Sequence, residues 1–448
     1  MKKSNQPIVL GIGVLMLMIL TLQSSADEFS PDSITNIMRK VANYRLKNGG
    51  ASVNALWEGG AYFTGVMAMY RHTKDQQYLD AIKAWGQAHN WQPNGGTGSG
   101  NPDDQCCCQT YCETYLLDPV PANSYMYQPW LDTYHQRYEV NGVRGWRHVW
   151  YWCDALFMAP PAVAMLYPIM GNNQKYLDTL VKCWWDVADT LYSKQYHLYW
   201  QQGFKAFRVE PNGMPQFWGP GEGWVVGGQA RVLKYMPLAF PGRDSLAKQF
   251  RDQCAALAAC RQGNGLWGTS LLDTVDWPIS ETSGSAFIGF AITWGINNGI
   301  LDRAVFEPVA RKAWSGLVKK INPSTGALTY CQIWAQDPGT PNQSSTNLEG
   351  EGAVMLAGEE MYKLVTGQVR VNCQRVQSLK NASRSECAVL PNVNGRIDMP
   401  TGVGKFEIYS IQGKKVWSGE IGVIQDKKSF EASKSMHGKG VYLLKYTR

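Results

Sequence analysis

The sequence predicts an all-α fold, an (α/α)6 barrel in the form of a six-hairpin toroid, followed by a small C-terminal β-sandwich domain. Three observations predict it. Six Gly/Ala/Ser-rich segments open six apolar-periodic stretches between residues 59 and 361. Each of the first five is followed by a second helical stretch with a more polar face, and the openings recur at roughly 45 to 70 residues, the spacing of a helical-hairpin array. Beyond residue 400 the apolar residues alternate with the period of strands.

In chain order, residues 1–26 read as a secretory signal. Lys2 and Lys3 precede an apolar run from Ile8 to Leu22, and Ser24-Ser25-Ala26 supplies a small-residue cleavage site. The run is short and broken by Gly11 and Gly13, so a cleaved leader is expected in preference to an anchor. No later stretch is apolar enough to span a membrane. The expected location is secreted, extracellular or at the cell surface, with the periplasm as the alternative.

Residues 27–365 form the expected barrel. The openings are G-G-A-Y-F-T-G from Gly59, Q-C-C-C-Q-T-Y from Gln105, A-L-F-M-A-P-P from Ala155, G-W-V-V-G-G from Gly223, S-G-S-A-F-I-G from Ser283 and G-E-G-A-V-M from Gly350. Small residues let helices approach closely, which suits an inner ring. Amphipathic partners, such as Y-L-D-A-I-K-A-W-G at Tyr78 and Y-L-D-T-L-V-K-C-W-W at Tyr176, suit an outer one. The helix leading into Ala42 supplies the remaining outer partner. Residues 366–400 are polar and read as a linker. In 401–448, K-F-E-I-Y-S-I-Q-G-K-K-V-W and G-V-Y-L-L-K-Y read as strands of a β module of about five to seven, with a turn at Gln412-Gly413.

Charge excludes one class of partner. The whole chain is +7, but residues 27–365 carry 27 Lys+Arg against 30 Asp+Glu, a net of −3, while residues 366–448 carry 14 against 6, a net of +8. The barrel therefore lacks the basic surface of a nucleic-acid binder. The 11 Cys fall in no metal-type C-x-x-C pairing, and most read as small core residues. Cys254 with Cys260, and Cys373 with Cys387, stand as two candidate bridges. No phosphate loop, G-x-S-x-G or H-E-x-x-H is present, so no cofactor or metal is expected.

The loops before the inner helices carry the chemistry. They read N-P-D-D-Q, W-Y-W-C-D, F-W-G-P-G-E-G-W, D-W-P-I-S-E-T-S-G-S and N-L-E-G-E-G. Every one brings a carboxylate and three bring Trp. Asp154 lies among Trp150, Tyr151, Trp152 and Phe157, where burial would raise its pKa and let it serve as a general acid. The same residues fit an Asp that starts the following helix, with Pro160 and Pro161 in a first turn. Of Asp103 and Asp104, one is expected to cap a helix and the other to be free. His148 stands six residues before Asp154 as a local partner. Aromatics stack on sugar faces, so Trp57, Trp152, Trp218, Trp224 and Trp277, at inner-helix starts, are expected to touch ligand. Trp184, Trp185 and Trp314 are expected in the core.

These motifs carry a resemblance. W-C-D-A-L-F-M-A-P-P, D-D-Q-x-x-x-Q-T-Y at Asp103, F-W-G-x-G-x-G-W at Phe217, E-T-S-G-S-A at Glu281 and L-A-G-E-E-M-Y-K-L at Leu356 resemble those of the unsaturated rhamnogalacturonyl hydrolases, glycoside hydrolase family 105, over roughly residues 40 to 364. The resemblance implies an exo-acting enzyme that removes a 4,5-unsaturated uronic acid from oligosaccharides left by polysaccharide lyases. It implies hydration of the double bond, with Asp154 protonating C4 and Asp104 positioning sugar or water. Met158 and Glu281, within the matched motifs, join Trp57, Trp152, Trp218 and Trp224 as substrate-binding residues. Two departures stand out: Pro220 and Glu222 replace an Arg and an Asn, and Gln201-Gln202 replaces an Arg-Asp pair. Lys205 or Arg208 is the expected substitute for gripping a carboxylate. The C-terminal module resembles type IX secretion sorting domains, which implies secretion machinery as a partner. Two rivals remain, a non-catalytic glycan-binding protein and another toroid enzyme such as a sugar epimerase or inverting glycosidase.

Overall fold

Inner and outer helices differ in how far round they are apolar, and that difference builds the ring. In a computed structural model of the chain, the described residues are 27–47, 52–96, 99–118, 150–203, 208–333 and 335–368, with the backbone of six strands beyond residue 384. The leader and His148 lie outside them.

The inner helices are α2 (Trp57–Thr73), α5 (Cys108–Leu117), the broken pair α6 (Ala155–Met158) and α7 (Pro160–Ile169), α9 (Gly219–Tyr235), α11 (Thr282–Asn297) and α13 (Leu348–Thr366). Burial runs unbroken from Gly59 to Met69, Gly219 to Leu233, Thr282 to Asn297 and Glu349 to Met361. A helix buried all round has neighbours on every side. The outer helices are α1 (Pro31–Lys47), α3 (Gln76–Ala88), α8 (Lys175–Leu191), α10 (Arg243–Cys260) and α12 (Arg303–Val318). In α8 the buried set is Tyr176, Leu177, Leu180, Cys183, Trp184, Val187, Ala188 and Leu191, a single stripe at helical spacing. A short α4 (Pro102–Gln105) precedes α5.

Each inner helix packs on the next, and α13 packs back on α2, so the ring closes. Closure depends on residues without side chains. A Cβ on Gly352 would stand 2.5 Å from the Ala61 carbonyl oxygen, and one on Gly223 2.7 Å from that of Gly284. The outer helices α3, α8, α10 and α12 each back the inner helix before them in sequence, and α1 backs α13. The expected partner of α5 falls in 119–149, outside the described residues. Trp184 and Trp314 are buried, and Trp185 packs against the core.

Cys254 and Cys260 are both free thiols, which corrects the bridge expected between them. Both lie on α10, where a separation of six residues puts the Cα atoms about 9 Å apart, beyond disulfide reach. Cys373 lies outside the described residues. Short hairpins β1 (Tyr192–Ser193) with β2 (Leu198–Tyr199), and β3 (Trp267–Gly268) with β4 (Ser280–Glu281), brace the loops at the N-terminal ends of α9 and α11.

Beyond the barrel, β5 (Ser385–Pro391), β7 (Lys405–Ser410), β8 (Lys415–Glu420) and β10 (Val441–Thr447) form an antiparallel sheet in the order β5-β10-β7-β8. The strands β6 (Arg396–Asp398) and β9 (Ser429–Glu431) pair with each other. Two of these strands fall within the stretch read as a linker, so strand structure begins at Ser385 and not at 401. Among the described residues no helix is long and apolar enough to cross a membrane.

Candidate active site

All six inner helices or their leading turns aim N-terminal ends at one cavity, of about 210 Å3. Trp57 comes from α2, Asp103 from α4, Asp154 from the head of α6, Trp218 and Pro220 from α9, Ser283 from α11 and Glu349 from α13. Helix N-termini carry positive partial charge, so this end of the ring favours anionic groups.

Asp154 occupies the N-cap position of α6, yet its side chain makes no capping bond. The backbone there is set by a second segment: Cys153 N–H donates to the Gln201 carbonyl at 2.8 Å, and Trp152 forms a β-bridge with Gln202. Gln201 Nε2 then donates to Asp154 Oδ2 at 3.3 Å. The carboxyl is 9 % exposed and lines the cavity. A Cβ at Gly221 would come within 2.9 Å of Cys153 Sγ and 3.5 Å of Asp154 Oδ1, so the glycine-rich start of α9 is what lets that helix stand against the acid.

The second carboxylate of the cavity is Asp103, not Asp104. Asn101 is the N-cap of α4, accepting from Asp103 N–H at 3.1 Å, with Pro102 at the first position. Neither Asp caps. Asp104 is turned away and holds the 94–104 loop, taking Ser99 Oγ at 2.5 Å and Asn94 Nδ2 at 3.0 Å. Asp103 lines the cavity, and burial, then the charges of Asp154, Asp104 and Glu58, push its carboxyl up to about 7. A carboxyl so raised is about half protonated near neutral pH.

Of the five tryptophans expected at a ligand, Trp57, Trp152, Trp218 and Trp224 line the cavity. Trp57 meets Trp224 edge-on at 5.8 Å, and Trp224 also packs on Phe157 and Phe287. Trp218 donates from Nε1 to Gln332 at 3.1 Å. Trp152 and Met158 line the cavity too. Trp277 does not; it bonds Glu210 at 3.1 Å. At the rim stand Tyr151, 50 % exposed, and Ile333, 71 % exposed.

Glu281 is corrected from ligand contact to helix cap. It accepts from Ser283 N and Oγ, Gly284 N and Gln332 N at 2.5–2.9 Å and does not line the cavity. Glu222 is fully buried under the site, held by Tyr199 N–H and by Gln253 Nε2 at 2.6 Å, and burial pushes it up to about 8. Glu351 is paired with Arg45 at 2.7 Å. Glu349 does line the cavity.

The expected cation is not found among the described lining residues, which include no Lys, Arg or His. Arg208 pairs with Asp337 at the surface, and Lys205 lies outside the described residues. Amides take its place: Asn101, Gln201, Gln202, Gln332 and Gln336 all face the cavity. Gln332, Ile333 and Gln336 went unread because their segment has no periodicity. No cluster of His, Cys, Asp and Glu among the described residues has metal-binding geometry. The arrangement can pass a proton between paired acids beside an aromatic surface, and it can hold polar groups with neutral donors.

A model of Glycosyl Hydrolase Family 88 matches residues 32–365. The unsaturated 3S-rhamnoglycuronyl hydrolase of Formosa agariphila is 33% identical over 323 residues, covering 69% of this chain and 84% of that protein. A solved structure described as a polysaccharide lyase is 30% identical with a TM-score of 0.69, covering 75% of this chain and 98% of its own. A solved glycosyl hydrolase family 88 protein from Bacteroides vulgatus is 26% identical with a TM-score of 0.69, covering 75% and 99%.

Proposed function

The chain belongs to Glycosyl Hydrolase Family 88 and is a glycoside hydrolase, and from that premise we propose that it removes a 4,5-unsaturated uronic acid from the non-reducing end of lyase-generated oligosaccharides. The observation that carries the proposal is the sharing of one aromatic cavity by Asp103 and Asp154, with Asp103 pushed up to about 7 partly by its neighbour. A carboxyl poised near neutrality beside Asp154 can supply that residue with a proton. In our reading Asp154 delivers it to C4 of the enol ether, while Asp103 positions the water that adds at C5 and returns a proton to the pair. The hemiketal at C5 opens to a ketone and the aglycone leaves as an alcohol.

Trp57, Trp152, Trp218, Trp224 and Met158 are proposed to hold the uronate ring, with Tyr151 and Ile333 at the rim meeting the leaving sugar. The name of the Formosa relative favours rhamnose on that leaving side. We read the six C-terminal strands as a β-sandwich for type IX sorting of a secreted enzyme. Removing residues 366–448 should then leave the protein in the periplasm, since the leader is kept, with its turnover intact.

The test is the ultraviolet absorbance of the unsaturated uronate. Loss of absorbance on lyase digests of rhamnose-containing uronic acid polysaccharides is the expected result. A second reading, elimination, is favoured by the likeness to the structure described as a polysaccharide lyase. It would give the opposite sign, a rise in absorbance on intact polysaccharide. Binding with no change in absorbance would return the site to a glycan-binding role.

A further inference from the structure

Glu349 is the carboxyl of the cavity wall that the hydration chemistry leaves unused. It lies in the first turn of α13, just behind the Asn347 cap, and is 5 % exposed. It shares the cavity with Asp103, Asp154, Trp57 and Ser283. Its Oε2 is buried without a hydrogen-bond partner. Glu281 is satisfied by donors from Ser283, Gly284 and Gln332, and Glu351 by Arg45, so the fold has means of satisfying acids here and does not apply them to Glu349. A buried polar atom left unmet by the protein marks a place that a ligand completes.

The groups facing Glu349 are all acidic apart from one. Glu58 comes from α2, also with an unpartnered Oε2; Glu281 comes from the head of α11; Glu351 shares α13, with Arg45 of α1 beside it. Burial first, then the charges of Glu58, Glu281 and Glu351, push Glu349 up to about 8, against the pull of its own backbone N–H. Near neutrality it is therefore an uncharged acid with an O–H to give. An anionic carboxylate is the strongest acceptor such a donor can meet. An ionised Glu349 would instead repel it.

We propose, resting on the hydrolase reading above, that Glu349 is a substrate-positioning residue whose carboxyl O–H donates a hydrogen bond to the carboxylate of the unsaturated uronic acid. It does the work elsewhere given to a basic side chain, and it does so only while protonated.

The test is steady-state kinetics of the full-length protein on an unsaturated uronide, as KM and kcat from about pH 6 to about pH 10, for wild type, Glu349→Gln and Glu349→Ala. Wild-type KM should climb above about pH 8, approaching tenfold per unit, in addition to the fall in kcat above about pH 7 that loss of the catalytic proton brings to wild type and variants alike. Glu349→Gln keeps a donor and loses the titration, so its KM should stay within about threefold of wild type at about pH 6 and then remain flat. Glu349→Ala should raise KM about 10-fold to 100-fold at about pH 6. An unchanged KM in the Ala variant overturns the inference, as does a Gln variant whose KM still climbs. Absence of turnover in wild type on every unsaturated uronide would overturn the hydrolase reading and this inference with it. Turnover with an indifferent Glu349 would overturn the inference alone.

Discussion

Replacing Asp103 by Asn should make the protein more stable and less active at once. Burial and the charges of Asp154, Asp104 and Glu58 lift this carboxyl from 3.8 to about 7. A raised acid pKa means that the folded state holds the proton more tightly than the unfolded chain. Stability therefore falls as pH rises from about 4 to about 7, and stays lowered above that. Three pH units at 1.36 kcal/mol each set an upper bound of about 4 kcal/mol. The side chain keeps some solvent contact, and screening brings the expected cost down to about 1–2 kcal/mol. Asn has the shape without the charge, so the variant should recover that amount at about pH 8 and nothing at about pH 4. Chemical denaturation of both proteins at the two pH values reads the difference directly. Turnover of an unsaturated uronide should fall by about 100-fold in the same variant. A variant less stable than wild type at the higher pH, or a gain that is equal at both, would refute the reasoning.

Asp154→Asn should cost about 100-fold to 10,000-fold in kcat while staying folded and no less stable than wild type, since it keeps the shape and removes the proton donor; full activity would sink the assignment. Pro220→Arg places a guanidinium in the cavity beside the acids, so KM for unsaturated galacturonides should fall, and an unchanged KM would mean that this position does not govern uronate binding. Gly352→Ala pushes a methyl to 2.5 Å from the Ala61 carbonyl oxygen and should destabilise the ring by about 1–3 kcal/mol in denaturant, whereas no loss would mean that α2 and α13 are not locked there.

The repeat was legible because a helix buried all round needs small residues and apolar ones together, and S-G-S-A-F-I-G-F-A-I at Ser283 has both. Asp154 was legible because one carboxylate among aromatics is conspicuous. Its neighbours were less so, since standing at the start of an inner helix does not decide which way a side chain turns. Glu281 and Trp277 both sit at the α11 end, and both turn to protein partners. The choice of Asp103 over Asp104 had a readable signal in Asn101-Pro102, where Asn caps and Pro takes the first helical position. The Cys254–Cys260 bridge fails on rise per residue alone. Nothing local marks Gln332 or Ile333, which reach the cavity through the packing of an irregular segment on Trp218 and Glu281.

The same residue types do opposite work at the two ends of the ring. At the C-terminal ends of the inner helices, Arg71 of α2 bonds Glu113 of α5 at 2.7 Å and Glu359 of α13 at 2.6 Å. Lys234 and Arg231 of α9 reach the same Glu113 from across the ring, at 3.2 and 3.7 Å. Burial alone would raise Glu113, but the charges of Arg71, Lys234 and Arg231 hold it well below the usual carboxylate range. These acids are neutralised, and they tie helices from opposite sides of the ring together. At the N-terminal end Asp103 and Glu349 are pushed up instead. Side chains that meet across the axis tie the described residues together at that end, while the carboxyls pushed toward neutrality stand at the other, around the cavity.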